Sequence, residues 1–457
     1  MFQYQTIIVF YVLLFVGCKS TGTSTHNYSS SRMIVINKEV LYAEETIFDK
    51  EVTIYPEAFL KTSGRGKIIF TKKVNIIGES QVFDENINVV FGFATLNTLN
   101  PTWFGAKGYD EIDDTPALTK VFELASLYAG TITIDIPIGR FIVTRTLNMG
   151  SQTPDGETIN LTGKGMSANS RSGSSFIWKG AEGASMITMR NNANGVIDGL
   201  GFNSIKKHGM KYDIELRPFI NFLSIRNCSF TGCTGEGSAN INLNKGSNEQ
   251  VSEINIENCL FGGVTYDNQQ WLTEAAVCGG SANAKNFYFR NCSFLGYSIA
   301  GINIHITDIL KVENCTFGFN DIDINCDLCN TIATSNYSEH SKSFFKSIIS
   351  QNVAFTTLIG NNFYGSEGAD YVIRGGAGSL VMINNNFGGL GVEDNQNKIM
   401  WDDKIISSIY SVGNFYRNSK GIITPFMNMQ NQTQTHNIHS FEDKLGLDEK
   451  DLRKVKD

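Results

Sequence analysis

The chain has 457 residues, of which 44 are Gly, 31 are Phe and only 7 are Pro, a turn-rich and β-rich composition that fits one long domain or two to three ordinary ones. A formal net charge of −7 leaves no basic footprint, so no nucleic acid partner is expected. An acidic protein acting on an acidic polymer would need a local basic patch instead.

Residues 6–18, TIIVFYVLLFVGC, form an apolar run that ends in small residues and a Cys. The run is too short to span a bilayer comfortably and suits a signal peptide, residues 1–17. Its end, Phe15-Val16-Gly17-Cys18, resembles the bacterial lipobox, although Phe stands where Leu is usual and MFQYQ carries no Lys or Arg. The resemblance implies export, lipidation of Cys18 and a membrane partner through that anchor, at the bacterial outer membrane. The alternative is an ordinary secretory signal and a secreted protein. Residues 18–32, rich in Ser and Thr, suit a flexible tether.

Residues 33–100 contain short strand-like runs such as MIVIN and VTIYPEAFL, and are expected to form an N-terminal β region. The segment PTWFGAKGYDEIDDTPALTKVFELASLYAGTITIDIPIGRFIV, residues 101–143, then predicts a helix near 116–128. Thr115 reads as the N-cap and Pro116 as the first helical residue, Leu118, Val121, Phe122 and Ala125 share one face, and Gly130 ends the helix. Such a helix would cover the open end of a solenoid, whose strands otherwise invite pairing with another chain. This segment resembles the WFGAKGDGxTDDTxAIQxAI opening of the pectate-lyase superfamily, departing from it at Tyr109-Asp110-Glu111. The resemblance implies a carbohydrate-directed β-helix, in a group that includes polysaccharide lyases, glycoside hydrolases and phage tailspikes.

Between Ile225 and Phe317 nearly the same six residues recur four times: IRNCSF, IENCLF, FRNCSF and VENCTF. Their cysteines, Cys228, Cys259, Cys292 and Cys315, are 31, 33 and 23 residues apart, which is the spacing of a solenoid with loops of variable length. Residues before each Asn alternate as in a strand. Asn227, Asn258, Asn291 and Asn314 mark tight bends, because Asn tolerates the left-handed backbone region. Cys and Phe, two residues apart, then point into the core. A Gly-containing turn follows, and after it a further strand: SANINL, EAAVCG, AGINIH, DIDINC. Weaker copies lie near Gly199, Asn361, Asn385 and Asn414. The predicted fold is all-β, a single right-handed parallel β-helix over residues 101–420 with an N-terminal capping helix. Residues 421–457 read as a polar linker and a short C-terminal helix.

The four repeat cysteines read as a stack of buried small hydrophobes, since strand spacing holds their Cβ atoms slightly too far apart for good disulfides. The pair Cys326 and Cys329 is a single CxxC with no second half, a poor zinc site that leaves a local disulfide open; Cys233 and Cys278 have no assigned role.

Alternation in the strands after the Gly turn places Ile302, Ile304, Ile322 and Ile324 inward. It places Asn303, His305, Asp321, Asp323 and Asn325 outward, with Glu274 at the start of the preceding strand and Asp370 and Arg374 farther along. The loop before Glu274 carries Tyr266, Asp267 and Trp271, aromatic surfaces on which a sugar ring could stack. Three functions fit such a surface. β-Elimination on an acidic, uronate-containing polysaccharide would use His305 as base and Arg374 as stabiliser of the developing enolate. Hydrolysis would use Glu274 with Asp321 or Asp323. A glycan-binding or tailspike-like protein would use the same surface, including Asn303, Asn325, Tyr266 and Trp271, without chemistry. Elimination is the preferred reading. No cofactor is firmly implied, although Asp321, Asp323 and Asp327 leave a calcium site open. The superfamily includes monomers and homotrimers, and both remain open for this chain.

Overall fold

The computed structural model describes residues 33–150, 158–166, 172–204, 209–245, 250–263, 272–281, 283–347, 354–365, 371–375, 378–390, 398–401 and 409–418. The sequence-based expectations for the signal, tether and lipidated Cys18, for Tyr266, Asp267, Trp271 and Asp370, and for residues 421–457 lie outside the described residues.

Residues 33–100 form a small parallel solenoid of short coils. Met33–Ile36, Glu51–Ile54 and Val74–Ile76 stack in one sheet, Glu39–Tyr42 and Phe59–Thr62 in a second, and Glu45–Phe48, Lys67–Phe70 and Val89–Phe91 in a third. Alternation in these runs turns Val52, Ile54, Leu60, Ile68, Phe70 and Val74 inward. Phe48, Phe70 and Phe91 stack at 5.1 and 5.4 Å between ring centroids.

The WFGAKG…DDT segment knits this solenoid to the main one. A 3₁₀ turn, Pro101–Phe104, sets Trp103 so that its indole N–H donates to the carbonyl of Gly78 at 2.9 Å, and Phe104 stacks on Phe83 at 5.0 Å. The buried Asp114 carboxylate accepts from the backbone N–H of Lys107 at 2.7 Å and of Ile142 at 2.9 Å. Asp113 accepts from the N–H of Thr115 at 3.0 Å and from the hydroxyl of Thr144 at 2.8 Å. The motif is thus a structural joint. Helix α1, Thr115–Leu127, follows and packs on the first coil of the main solenoid with Leu118, Val121, Phe122 and Ala125 buried. Its N-cap is Asp114 rather than Thr115, because the Asp114 carbonyl already accepts the first intrahelical bond, from the N–H of Leu118 at 3.0 Å. It ends at Tyr128, two residues before the left-handed Gly130.

The main body is a parallel β-helix. The strands that follow the Asn corners stack in an eleven-stranded parallel sheet from Gly139–Val143 to Phe415–Asn418 among the described residues. The strands before the corners and after the Gly turns stack alongside in the same order. In two coils these merge into continuous strands, Ala300–Glu313 and Ile322–Thr334. Asn227, Asn258, Asn291 and Asn314 all adopt φ near +53°, in the left-handed region. Behind them Phe202, Phe230, Phe261, Phe294 and Phe317 stack at 4.8–5.0 Å.

One position of the repeat changes chemistry along the body. Cys228, Cys259, Cys292 and Cys315 are buried free thiols one residue after the corner. In the next coils Asn336, Asn361, Asn385 and Asn414 occupy that place, and Ser335, Gly360, Asn384 and Gly413 take the left-handed corner. Each buried Asn amide donates to the Oδ1 of the next at 2.8–2.9 Å, and each Oδ1 also accepts a backbone N–H from the coil before. Asn361, Asn385 and Asn414 are therefore ladder residues one place past the bend.

Candidate functional site

Parallel register builds a polar column on the outer face. In-register pairing runs Asn148, Thr188, Glu215, Asn242, Cys278, Asn303, Asn325, Lys346, Arg374, one residue per coil. The spacing of stacked strands is about 4.8 Å. The middle of the column is covered: Asn242 and Cys278 are buried, as are Ala239 and Ala275 on the same face. Tyr212 packs with Ala239, Ala275 and Cys278. From Asn303 onward the column is accessible, and it ends in two cations. Neither Lys346 nor Arg374 has an acidic partner among the described residues; the Arg374 guanidinium lies over the Tyr371 ring at 5.3 Å from its centroid.

His305 projects outward, with 58 % of its side chain exposed. The pairing of Ile304 with Cys326 and of Ile306 with Leu328 puts Asp327 beside it in the next coil, and Nδ1 of the ring hydrogen-bonds Asp327 Oδ2. Asp327 is mostly buried and its Oδ1 has no hydrogen-bond partner among the described residues. Sequence reasoning assigned Asp327 only to a calcium site left open, and not to His305. The signal was present: aligning GINIHI with DIDINCDL on their isoleucines sets His305 over Asp327. Asn303 and Asn325 sit two residues earlier on the same strands, and Asn325 Nδ2 donates to Asn303 Oδ1 at 2.8 Å.

Asp323 is not on this surface. It is fully buried between Ile322 and Ile324, because the chain bends there and the residue between two laddered pairs turns into the core. A Cβ at Gly301, its neighbour one coil back, would meet the Phe317 ring at 3.1 Å and Phe294 at 3.2 Å, which fixes the direction. Asn320 Nδ2 donates to Asp323 Oδ1 at 3.0 Å. Burial pushes the carboxyl up to about 7, against the opposing pull of Ser338, Ser341 and Asn320. The same inward position earlier in the body holds Asp213, raised by burial to about 8 and bonded by Asn240 Nδ2 at 2.8 Å. Strict alternation, read from sequence, has no term for this bend.

Asp321 lies just before the strand, paired with Lys342 Nζ at 2.6 Å. The three aspartates considered for calcium diverge: Asp321 to Lys342, Asp323 into the core, Asp327 to His305. Extending the register by one residue aligns Glu274 with Ile299 and Asp321 on successive coils, so the two carboxylates are two rungs, roughly 10 Å, apart. Glu274 acts electrostatically on Tyr212 and Cys278, whose pKa values burial raises, Cys278 to about 12. His305 is six residues along the strand from the Glu274 rung, roughly 20 Å at about 3.3 Å per residue, so the two belong to separate patches. Arg374 is three rungs from the Asn303–His305 strand, roughly 14 Å between backbones. Cys326 and Cys329 are buried free thiols, as are Cys233 and Cys278.

No protein-family model matches the chain, and no curated protein matches it. Among solved structures it is similar to PfbA, a surface adhesin of Streptococcus pneumoniae, at 14 % identity over 71 % of this chain and 93 % of that one, with a TM-score of 0.44. It is similar to an alginate lyase from Paenibacillus at 15 % identity over 64 % and 96 %, TM-score 0.45. A third likeness is to tailspike protein 3 of bacteriophage CBA120, at 14 % identity and TM-score 0.44, where 72 % of this chain spans about half (54 %) of the other. The protein is a parallel β-helix with an outward polar column, and that statement rests on its own strand register.

Proposed function

We propose that this chain is an exported, carbohydrate-active β-helix protein of pectate-lyase type that cleaves an acidic, uronate-containing polysaccharide by β-elimination. The observation that carries the proposal is the His305–Asp327 pair beside an accessible column of amides and of cations with no acidic partner among the described residues. With Asp327 accepting from Nδ1–H, Nε2 of the exposed ring carries the lone pair and is free to take the proton next to the uronate carboxylate. The Nδ2 group of Asn303 donates towards that carboxylate as negative charge spreads into it. Lys346 and Arg374, two and three rungs on, bind carboxylates of neighbouring sugars, which turns the earlier pairing of His305 with Arg374 on one sugar into a division of labour along the polymer.

The test is incubation of the protein with a panel of acidic polysaccharides, following ultraviolet absorbance of unsaturated products and reducing ends in parallel. Elimination raises both. Reducing ends without absorbance would assign hydrolysis, with Glu274 and Asp321 as the carboxylates, and binding without either signal would assign a non-catalytic glycan-binding protein.

A further inference from the structure

The joint between the two solenoids forms an open cleft of about 890 Å³, within the range of ligand sites and five coils from His305. One wall comes from the small solenoid, with Glu79 and Gln81; the other comes from the main body, with Tyr109, Ile138 and Lys164. Tyr109 stands where the chain departs from the WFGAKGDG pattern. Its side chain is exposed, yet its hydroxyl donates to the carbonyl of Ile138 at 2.7 Å, so the ring is held in place. Ile138, also exposed, extends the apolar surface beside it. The Gln81 amide is fixed as well: Nε2 donates to the carbonyl of Phe83 at 3.0 Å, leaving Oε1 as an acceptor. Gly105 makes room for it, since a Cβ there would come within 3.0 Å of Nε2.

We infer that this cleft is a second carbohydrate site, specific for a neutral glycan. A fixed aromatic face beside an aliphatic side chain matches the C–H face of a pyranose, and fixed amide and backbone groups match its hydroxyls. Each cation lining the cleft is already paired with a carboxylate, so the site favours an uncharged ligand over an anionic one. Lys107 is paired with Asp110 at 3.2 Å and Lys164 with Asp135 at 2.8 Å, and Glu79 adds a further negative charge. The outward column has the opposite balance, with Lys346 and Arg374 free of acidic partners among the described residues, so the two sites select different sugars. The inference does not depend on elimination at His305.

The experiment is calorimetric titration of the protein with neutral hexasaccharides (cello-, manno-, xylo- and malto-series) and with oligouronates. Saturable binding of at least one neutral series is expected, weakened tenfold or more in Tyr109→Ala and in Gln81→Ala and unchanged in His305→Ala, with circular dichroism confirming that each variant folds. Absence of binding by every neutral series, or binding that both Tyr109→Ala and Gln81→Ala leave intact, would overturn it.

Discussion

His305 adds little to the core, so His305→Ala is expected to lower the elimination rate by about 10²–10⁴-fold, the range for a general base, with an unchanged melting temperature. Asp327→Asn tests orientation: it should lower kcat more than it raises KM, and shift the pH profile of kcat/KM. Asp323 and Asp213 make the opposite kind of prediction. Both carboxyls are fully buried and raised, to about 7 and about 8, so between pH 4 and those values the folded protein binds more protons than the unfolded chain. Their contribution to stability is therefore fully present below about pH 4 and is lost as pH rises through the folded pKa values. Melting temperature should fall from pH 5 to pH 8.5, and Asp323→Asn should flatten that fall and stabilise at pH 8 by a few kcal/mol at most. A variant that melts lower than wild type at pH 8 would contradict the buried-acid assignment. That Asp323 turns inward was illegible in DIDINC, since period-2 alternation assigns it outward; only the bend shared with Gly301 and Asp213 reverses it.

At the scale of elements, the stack and the ladder hold neighbouring coils together. Phe294 is fully buried with Phe261 and Phe317 each 5.0 Å away, so Phe294→Ala should cost about 3–5 kcal/mol in denaturant unfolding. Asn361 accepts both the backbone N–H and the amide of Asn336, so Asn361→Ala leaves two buried donors unmatched, at about 1–3 kcal/mol each. It should destabilise more than Cys292→Ala, which removes a weak thiol contact; equal losses would mean that the ladder is only filler. The NCxF repeat made the phenylalanine stack and the corners readable, because each needs a specific residue at a fixed offset. The Asn ladder was half legible: GNNF, NNNF and GNFY announce Asn, but a one-residue offset separates a bend from a ladder, and only register distinguishes them. Helix α1 was readable from its buried face, whereas its cap lies one residue earlier than Thr115, since the Asp114 carbonyl accepts the first intrahelical bond.

For the whole molecule, the joint explains why WFGAKG…DDT identifies an architecture: its Trp, Asp and Thr side chains are spent tying the two solenoids together. Those side chains hold the joint and do not report on the proposed chemistry, which lies five coils away at a place where sequence offered only outward polar residues. Location is a separate proposal at this scale. Cys18→Ser should move the protein from membranes to the soluble exported fraction, since a lipid chain at that Cys is the anchor the leader implies; a wild type already soluble outside the cell would contradict it. The most direct test of the central claim is digestion of the responsive acidic polysaccharide in heavy-oxygen water, followed by mass spectrometry of the fragments. Elimination at His305 predicts new non-reducing ends that are lighter by one water and carry no solvent oxygen, and their disappearance in His305→Ala. New fragments whose non-reducing ends are saturated, with no loss of water, or unsaturated fragments that persist in His305→Ala, would contradict elimination at His305.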